Sequence, residues 1–136
     1  VEKVMTKRFL FLLLSLLTAL APGQGVCAKA AQPMAVLIAA DWCGNCKVIK
    51  PKLKQAYKNF EGQMSFVSLD VTDDARFAQS QKLAVKLGVP QLLAGQVATG
   101  WVALIDRSGK QIGELRQTMS VEEMQQALQA LVGEAN

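Results

Sequence analysis

A continuous apolar run, Met34 to Ala40, stops at Asp41-Trp42 and gives way to Cys43-Gly44-Asn45-Cys46 and then to a lysine-rich stretch with helical spacing. That junction constrains the fold more than any other feature of the chain. The run has the length of a strand and no polar alternation, so it predicts a buried central strand. From Gly44 to Phe60 the residues Val48, Ile49, Leu53, Ala56, Tyr57 and Phe60 recur at helical spacing between lysines. Pro51 falls inside this helix, where it removes a backbone hydrogen bond and is expected to kink the axis.

Two cysteines separated by two residues close a small disulfide ring only where the backbone turns, and a helix start supplies the turn. A cysteine in the first helical turn has its thiolate stabilised by free amide groups and the positive end of the dipole, which lowers its pKa. Cys43 is therefore assigned as the nucleophile, and Cys46, one turn inward, as the resolving thiol that attacks the mixed disulfide. Half a zinc site is the main metal reading of such a pair. Zinc needs about four ligands, and the chain has no His and only one further cysteine, Cys27, so no metal and no cofactor is expected. A static structural disulfide is also conceivable, but so short a loop constrains little of the unfolded chain.

The rest of the chain continues the alternation of strand and helix. Met64 to Val71 predicts a second inward strand, and Thr72, Asp73 and Asp74 predict the start of a helix that ends at Gly88. Val89 to Gly100 has no clear periodicity and is expected to be a long connection. Its Pro90 to Thr99 part, with Leu92, Leu93 and Val97, is either a packed loop or an element that docks a partner. Trp101 to Asp106, the turn Arg107-Ser108-Gly109, and Lys110 to Leu115 predict a β-hairpin. Ser120 with Glu123 forms a capping box before a last helix striped by Val121, Met124, Ala127, Leu128 and Leu131. The order is β-α-β-α-β-β-α, an α/β domain whose four-stranded mixed sheet is flanked by three helices. A length of 136 residues suits one such domain.

Ahead of it, Lys3, Lys7 and Arg8 precede an apolar run from Phe9 to Ala21 of about thirteen residues, short of the roughly 20 that a membrane span needs. This pattern reads as a signal peptide over residues 1–28, cleaved after Ala28, with residues 29–33 as a linker and 34–133 as the domain. Val26 is too bulky for a lipoprotein signal, which argues against lipidation of Cys27. Export, to a bacterial periplasm, is the expectation; an uncleaved segment anchoring the protein in the membrane is the alternative. Loss of Lys3, Lys7, Arg8 and Glu2 would lower the net charge from +4 to +2, which leaves no nucleic-acid footprint. The five lysines from Lys47 to Lys58 fall on one predicted helix and read as a solvated face rather than as a docking patch. Export places the cysteines where disulfides persist.

Ala40-Asp41-Trp42-Cys43-Gly44-Asn45-Cys46-Lys47, with Ile49, Pro51 and Leu53, resembles the thioredoxin signature, and the likeness extends more weakly over residues 34 to 132. The resemblance implies a thioredoxin-like fold, glutaredoxin-sized because few mature residues precede the first strand. It implies thiol-disulfide exchange with protein thiols and disulfides through a Cys43–Cys46 disulfide, and an upstream electron donor such as a membrane disulfide reductase. A monomer is expected. Trp42, Gly44, Asn45, Thr99 and Gly100 would form the substrate surface, with Asp41 and Lys47 able to tune the thiol. The family's buried carboxylate is replaced by Leu37. Its cis-proline aligns with Gly100, preceded by Thr99, and Pro90 falls too early. A cis Thr99–Gly100 bond is not expected, and Gly100→Pro is expected to be accommodated. Reduction or isomerisation is favoured over oxidation, because Gly-Asn separates the cysteines and the histidine of strong oxidants is missing. A binding module with a passive disulfide and a membrane-anchored reductant in cytochrome c maturation are the other readings.

Overall fold

In the computed structural model, which describes residues 31–133, the first strand, β1 (Met34–Ala39), lies in the interior of the sheet. Its side chains alternate between two cores. Ala35, Leu37 and Ala39 face one, while Val36 and Ile38 face the other. Burial on both faces is why this segment is apolar throughout rather than alternating. The expectations for residues 1–28, including Cys27, lie outside the described residues.

Helix α1 (Gly44–Tyr57) follows and buries Cys46, Ile49, Leu53 and Ala56, one stripe at spacings of three and four. Pro51 sits inside it on the exposed side. After a short 3-10 turn (Lys58–Phe60), β2 (Ser65–Asp70) pairs in parallel with β1, with Met34 opposite Ser65 and Ala39 opposite Asp70. Helix α2 (Asp74–Leu87) starts at Asp73, whose carboxylate accepts from the Arg76 N–H at 2.8 Å. It ends at Gly88, where φ is 77°, the left-handed conformation that glycine adopts without a Cβ penalty.

Residues 90–93, expected to lie in a long connection, form a 3-10 turn with Pro90 at its start. Leu92 and Leu93 are buried with Val36, Ile38, Ala103 and Ile105. These leucines pack in the domain's own core, so they are not free to hold a partner. Strands β3 (Trp101–Ile105) and β4 (Gln111–Arg116) make the hairpin, and β3 runs antiparallel to β1. In the turn, Asp106 accepts from the Ser108 hydroxyl and from the N–H groups of Ser108 and Lys110, which hold its carboxyl below the usual range.

Helix α3 (Val121–Gly133) carries the expected capping box: the Glu123 carboxylate accepts from Ser120 N–H at 2.7 Å and the Ser120 hydroxyl from Glu123 N–H at 3.1 Å. Its Met124, Leu128 and Leu131 pack with α1 on one face of the sheet, while α2 covers the other. Lys52 fastens α1 to the turn before α3, donating to the carbonyls of Gln117 and Met119 at 2.8 Å each. The sheet order is β2-β1-β3-β4, a four-stranded mixed sheet with three helices. The central strand therefore ends where α1 begins, at the cysteines.

Candidate active site

Beyond β1, Asp41 and Trp42 turn the chain, and the Cys43 N–H donates to Ala40 C=O at 3.1 Å. Cys43 is the N-cap of α1, with extended backbone, and its sulfur accepts from the Cys46 N–H at 3.1 Å. A sulfur here sits among helix N–H groups that have no carbonyl partner, an arrangement that favours negative charge on it. The Cα atoms of Cys43 and Cys46 are 5.3 Å apart and the sulfurs form a disulfide. Cys43 lies at the rim with 5% of its surface exposed, whereas Cys46 is sealed at 1%.

Behind Cys46 the surroundings are apolar. Leu37, where the resemblance implies a carboxylate, packs in the same core as Cys46. The Ile38 carbonyl oxygen lies 4.0 Å from Cys46 Sγ, and it accepts from the Gly100 N–H at 2.8 Å.

Gly100 lies against the disulfide. A Cβ there would collide with Asn45 Cβ and stand 3.1 Å from Cys43 Sγ, and φ is +80°. All described peptide bonds are trans, Thr99–Gly100 among them. The expectation that Gly100→Pro is accommodated is corrected. Proline fixes φ near −65° and has no N–H, and Gly100 needs both a positive φ and its N–H. Gly44 and Asn45 are exposed on the first turn of α1, Thr99 is half-buried beside Gly100, and Lys47 is exposed. Trp42, 65% exposed, stands over the rim. Pro90 is exposed at the start of a turn packed in the other core.

Sequence reading missed the brace that holds Asp41 and Trp42. Thr72 Oγ1 accepts from the Asp41 N–H at 3.0 Å, and the Thr72 carbonyl accepts from Trp42 Nε1 at 3.1 Å. Thr72 is itself fixed by Asp70, whose Oδ1 accepts from its N–H at 2.9 Å and its hydroxyl at 2.5 Å. Arg76 closes the group, 2.7 Å from Asp41 and 3.3 Å from Asp70. The Thr72 hydroxyl, with help from Arg76, holds the Asp70 carboxyl below its ordinary range. The hydrogen bond to Asp41 raises the Arg76 pKa. Asp41, expected either to tune the thiol or to be merely solvated, is an ion-pair partner. The partners lie about thirty residues away in sequence, and only the Thr72-Asp73-Asp74 helix start hinted at them. Among the described residues no group of His, Cys, Asp or Glu is placed to hold a metal.

A strand that delivers two cysteines to a helix N-terminus, on a sheet with helices on both faces, defines a dithiol-disulfide site of the thioredoxin kind. The sequence model of the thioredoxin family matches residues 24–126. The chain belongs to the thioredoxin family of thiol:disulfide oxidoreductases. Among curated proteins no sequence matches. Solved structures with the same fold include a thioredoxin-family thiol:disulfide interchange protein from Chlorobium tepidum TLS, with TM-score 0.55 and 18% identity over 76% of this chain and 82% of that one. Also similar are dsbF from MTB, with TM-score 0.52 and 20% identity over 74% and 81%, and thioredoxin 2 from Pseudomonas aeruginosa PAO1, with TM-score 0.51 and 17% identity over 76% and 82%. At these identities the likeness establishes the fold alone.

Proposed function

We propose that the protein is an exported reductant or isomerase of protein disulfides, with Cys43 as nucleophile. The observation that carries this reading is the position of the pair at the start of α1, with Cys43 as the N-cap whose sulfur accepts from the Cys46 N–H, and Cys46 one turn inward and more deeply buried. In the reduced protein the Cys43 thiolate attacks a substrate disulfide, forming a mixed disulfide and releasing one substrate thiolate. Cys46, having lost its proton, attacks Cys43 Sγ, which closes the Cys43–Cys46 disulfide and releases the second substrate thiolate. Two electrons pass from the protein to the substrate, and an external dithiol donor must return them. In isomerisation the released substrate thiolate attacks another substrate disulfide, and the thiolate freed there attacks the mixed disulfide, which closes a new substrate disulfide and releases Cys43 with no net electron transfer.

The reductive direction is supported by Gly44-Asn45 between the cysteines and by the lack of a histidine there. No carboxylate is buried with Cys46 among the described residues, and the Ile38 carbonyl, 4.0 Å from its Sγ, is the acceptor its thiol is offered. Export rests on the basic residues and apolar run ahead of Ala28, and a membrane disulfide reductase is the donor class that fits that compartment. Insulin reduction under a dithiol donor, with an equilibrium titration against glutathione, tests the reading. Catalysis that vanishes in Cys43→Ser and a potential in the range of reductants are expected. A disulfide that neither donor nor insulin exchanges with would leave a binding module.

A further inference from the structure

Helix α1 holds five lysines with Lys58 at its end and no acidic residue. Lys50, Lys54 and Lys58, spaced at four residues, stand exposed on the face that begins at Cys43 and passes Lys47. Like charges at this spacing repel one another and destabilise a helix. Among the described residues none of the three is in an ion pair; the ion pairs there belong to Arg76 and Arg116. The lysines rim a pocket of about 300 Å³ whose floor is Leu37, Leu53, Tyr57 and Phe66, with Glu61 the one acid on its wall.

The pocket opens beside β2, an edge strand. The N–H groups of Ser65 and Val71 point to β1, donating to Pro33 and Ala39, so by alternation the backbone groups of Phe66 and Ser68 point outward. On either side the edge is closed, by Tyr57 OH donating to the Met64 carbonyl and Ser80 Oγ to the Asp70 carbonyl. What remains is a short open stretch of backbone, an apolar hole next to it, and a cationic rail. A strand added there would satisfy the backbone, and acidic side chains would complement the lysines. A small amphiphile would use the hole and the rail but not the backbone.

We propose that this surface docks an extended acidic stretch of the substrate polypeptide, seating one large apolar side chain in the pocket. The proposal rests on the reading of the protein as a protein-disulfide exchanger. Lys54 lies eleven positions beyond Cys43, about 16 Å along the helix, and an extended chain covers about 3.3 Å per residue. The seated apolar residue therefore falls about five residues from the substrate's reactive cysteine.

Two synthetic peptides, each a mixed disulfide with thionitrobenzoate, test this. One carries leucine flanked by glutamates about five residues from its cysteine; the other has lysines in place of the glutamates. The wild-type protein is expected to reduce the acidic peptide with kcat/KM about five-fold higher or more at low ionic strength, and raising salt to about 0.5 M should bring the ratio toward one. In the Lys54→Glu, Lys58→Glu variant the preference should reverse, and in Lys54→Gln, Lys58→Gln, where Lys50 remains on the rim, it should fall toward one. Fluorescence anisotropy with labelled peptides whose cysteine is replaced by alanine reads docking on the oxidised protein without any exchange step. Selective binding of the acidic peptide without reduction of either disulfide would support docking and sink the redox reading. Equal binding and equal rates for both peptides in the wild-type protein, or a preference untouched by charge reversal, would overturn the docking surface. Saturable binding of decanoate with no discrimination between the peptides would overturn the polypeptide assignment.

Discussion

Replacing Gly100 with alanine probes the contact between β3 and the disulfide turn. Two costs can be worked from the geometry. At φ +80° an L-residue pays about 1–2 kcal/mol. The new methyl would also collide with Asn45 Cβ and lie 3.2 Å from the Asn45 carbonyl carbon and 3.1 Å from Cys43 Sγ, an overpacking of the kind that costs about 1–3 kcal/mol. Together these give about 2–5 kcal/mol, a large share of the stability of a small domain. Urea titration of the oxidised protein reads the free energy, and a fall in Tm of about 10 °C or more should accompany it. Asn45→Gly removes the atom most in the way. The double variant should therefore recover part of the overpacking cost but none of the φ cost, giving a measurable coupling. A Gly100→Ala protein within about 0.5 kcal/mol of wild type, or two substitutions that simply add, would refute the contact.

In the reduced protein Cys43 alone should react with iodoacetamide at mildly acidic pH, with a pKa below that of a free thiol; peptide mapping that finds Cys46 labelled first would reverse the roles. Arg76→Gln leaves the Asp41 carboxylate unpaired beside the cysteine turn, so the pH midpoint of Cys43 alkylation should rise, and adding Asp41→Asn should bring it back. A midpoint unmoved by Arg76→Gln would show that the ion pair does not reach the thiol. Asp70 has its pKa lowered in the fold by the Thr72 hydroxyl, so its contribution to stability is present above its ordinary value of 3.8 and lost as pH falls through the lower folded value. Asp70→Asn should flatten the acid limb of the unfolding curve, and an unchanged limb would contradict the brace. Leu37→Glu should cost several kcal/mol, since it places a carboxylate in a dry core without a partner; chemical unfolding measures it.

The parts of the fold that local chemistry dictates were legible. The unbroken apolar run at β1, the cysteine spacing at a helix start, Asp73 and Gly88 at the ends of α2, and the Ser120–Glu123 box each carry their signal within a few residues. The placement of Gly100 was legible only through the family resemblance, and its backbone was not. A positive φ and a bond to Ile38 are set by how β3 meets β1, which no local pattern encodes. The turn at Pro90–Leu93 was missed because its two leucines have no period to read; their burial is a tertiary fact. Thr72, Asp70 and Arg76 were missed for the same reason. Their connection to Asp41 and Trp42 exists only because β2 lies parallel to β1 and brings the two strand ends together.

The most direct measurement of the central claim is trapping of the mixed disulfide. With Cys46→Ala, resolution is blocked, and incubation of the reduced protein with an oxidised protein substrate should accumulate a covalent adduct. Non-reducing mass spectrometry should place the bond at Cys43, and dithiothreitol should release it. Cys43→Ala should give no such adduct, because Cys46 is sealed beneath the surface. An adduct that forms through Cys46 in Cys43→Ala as readily as through Cys43 in Cys46→Ala, or no adduct in either variant, would contradict a site built to exchange disulfides through Cys43.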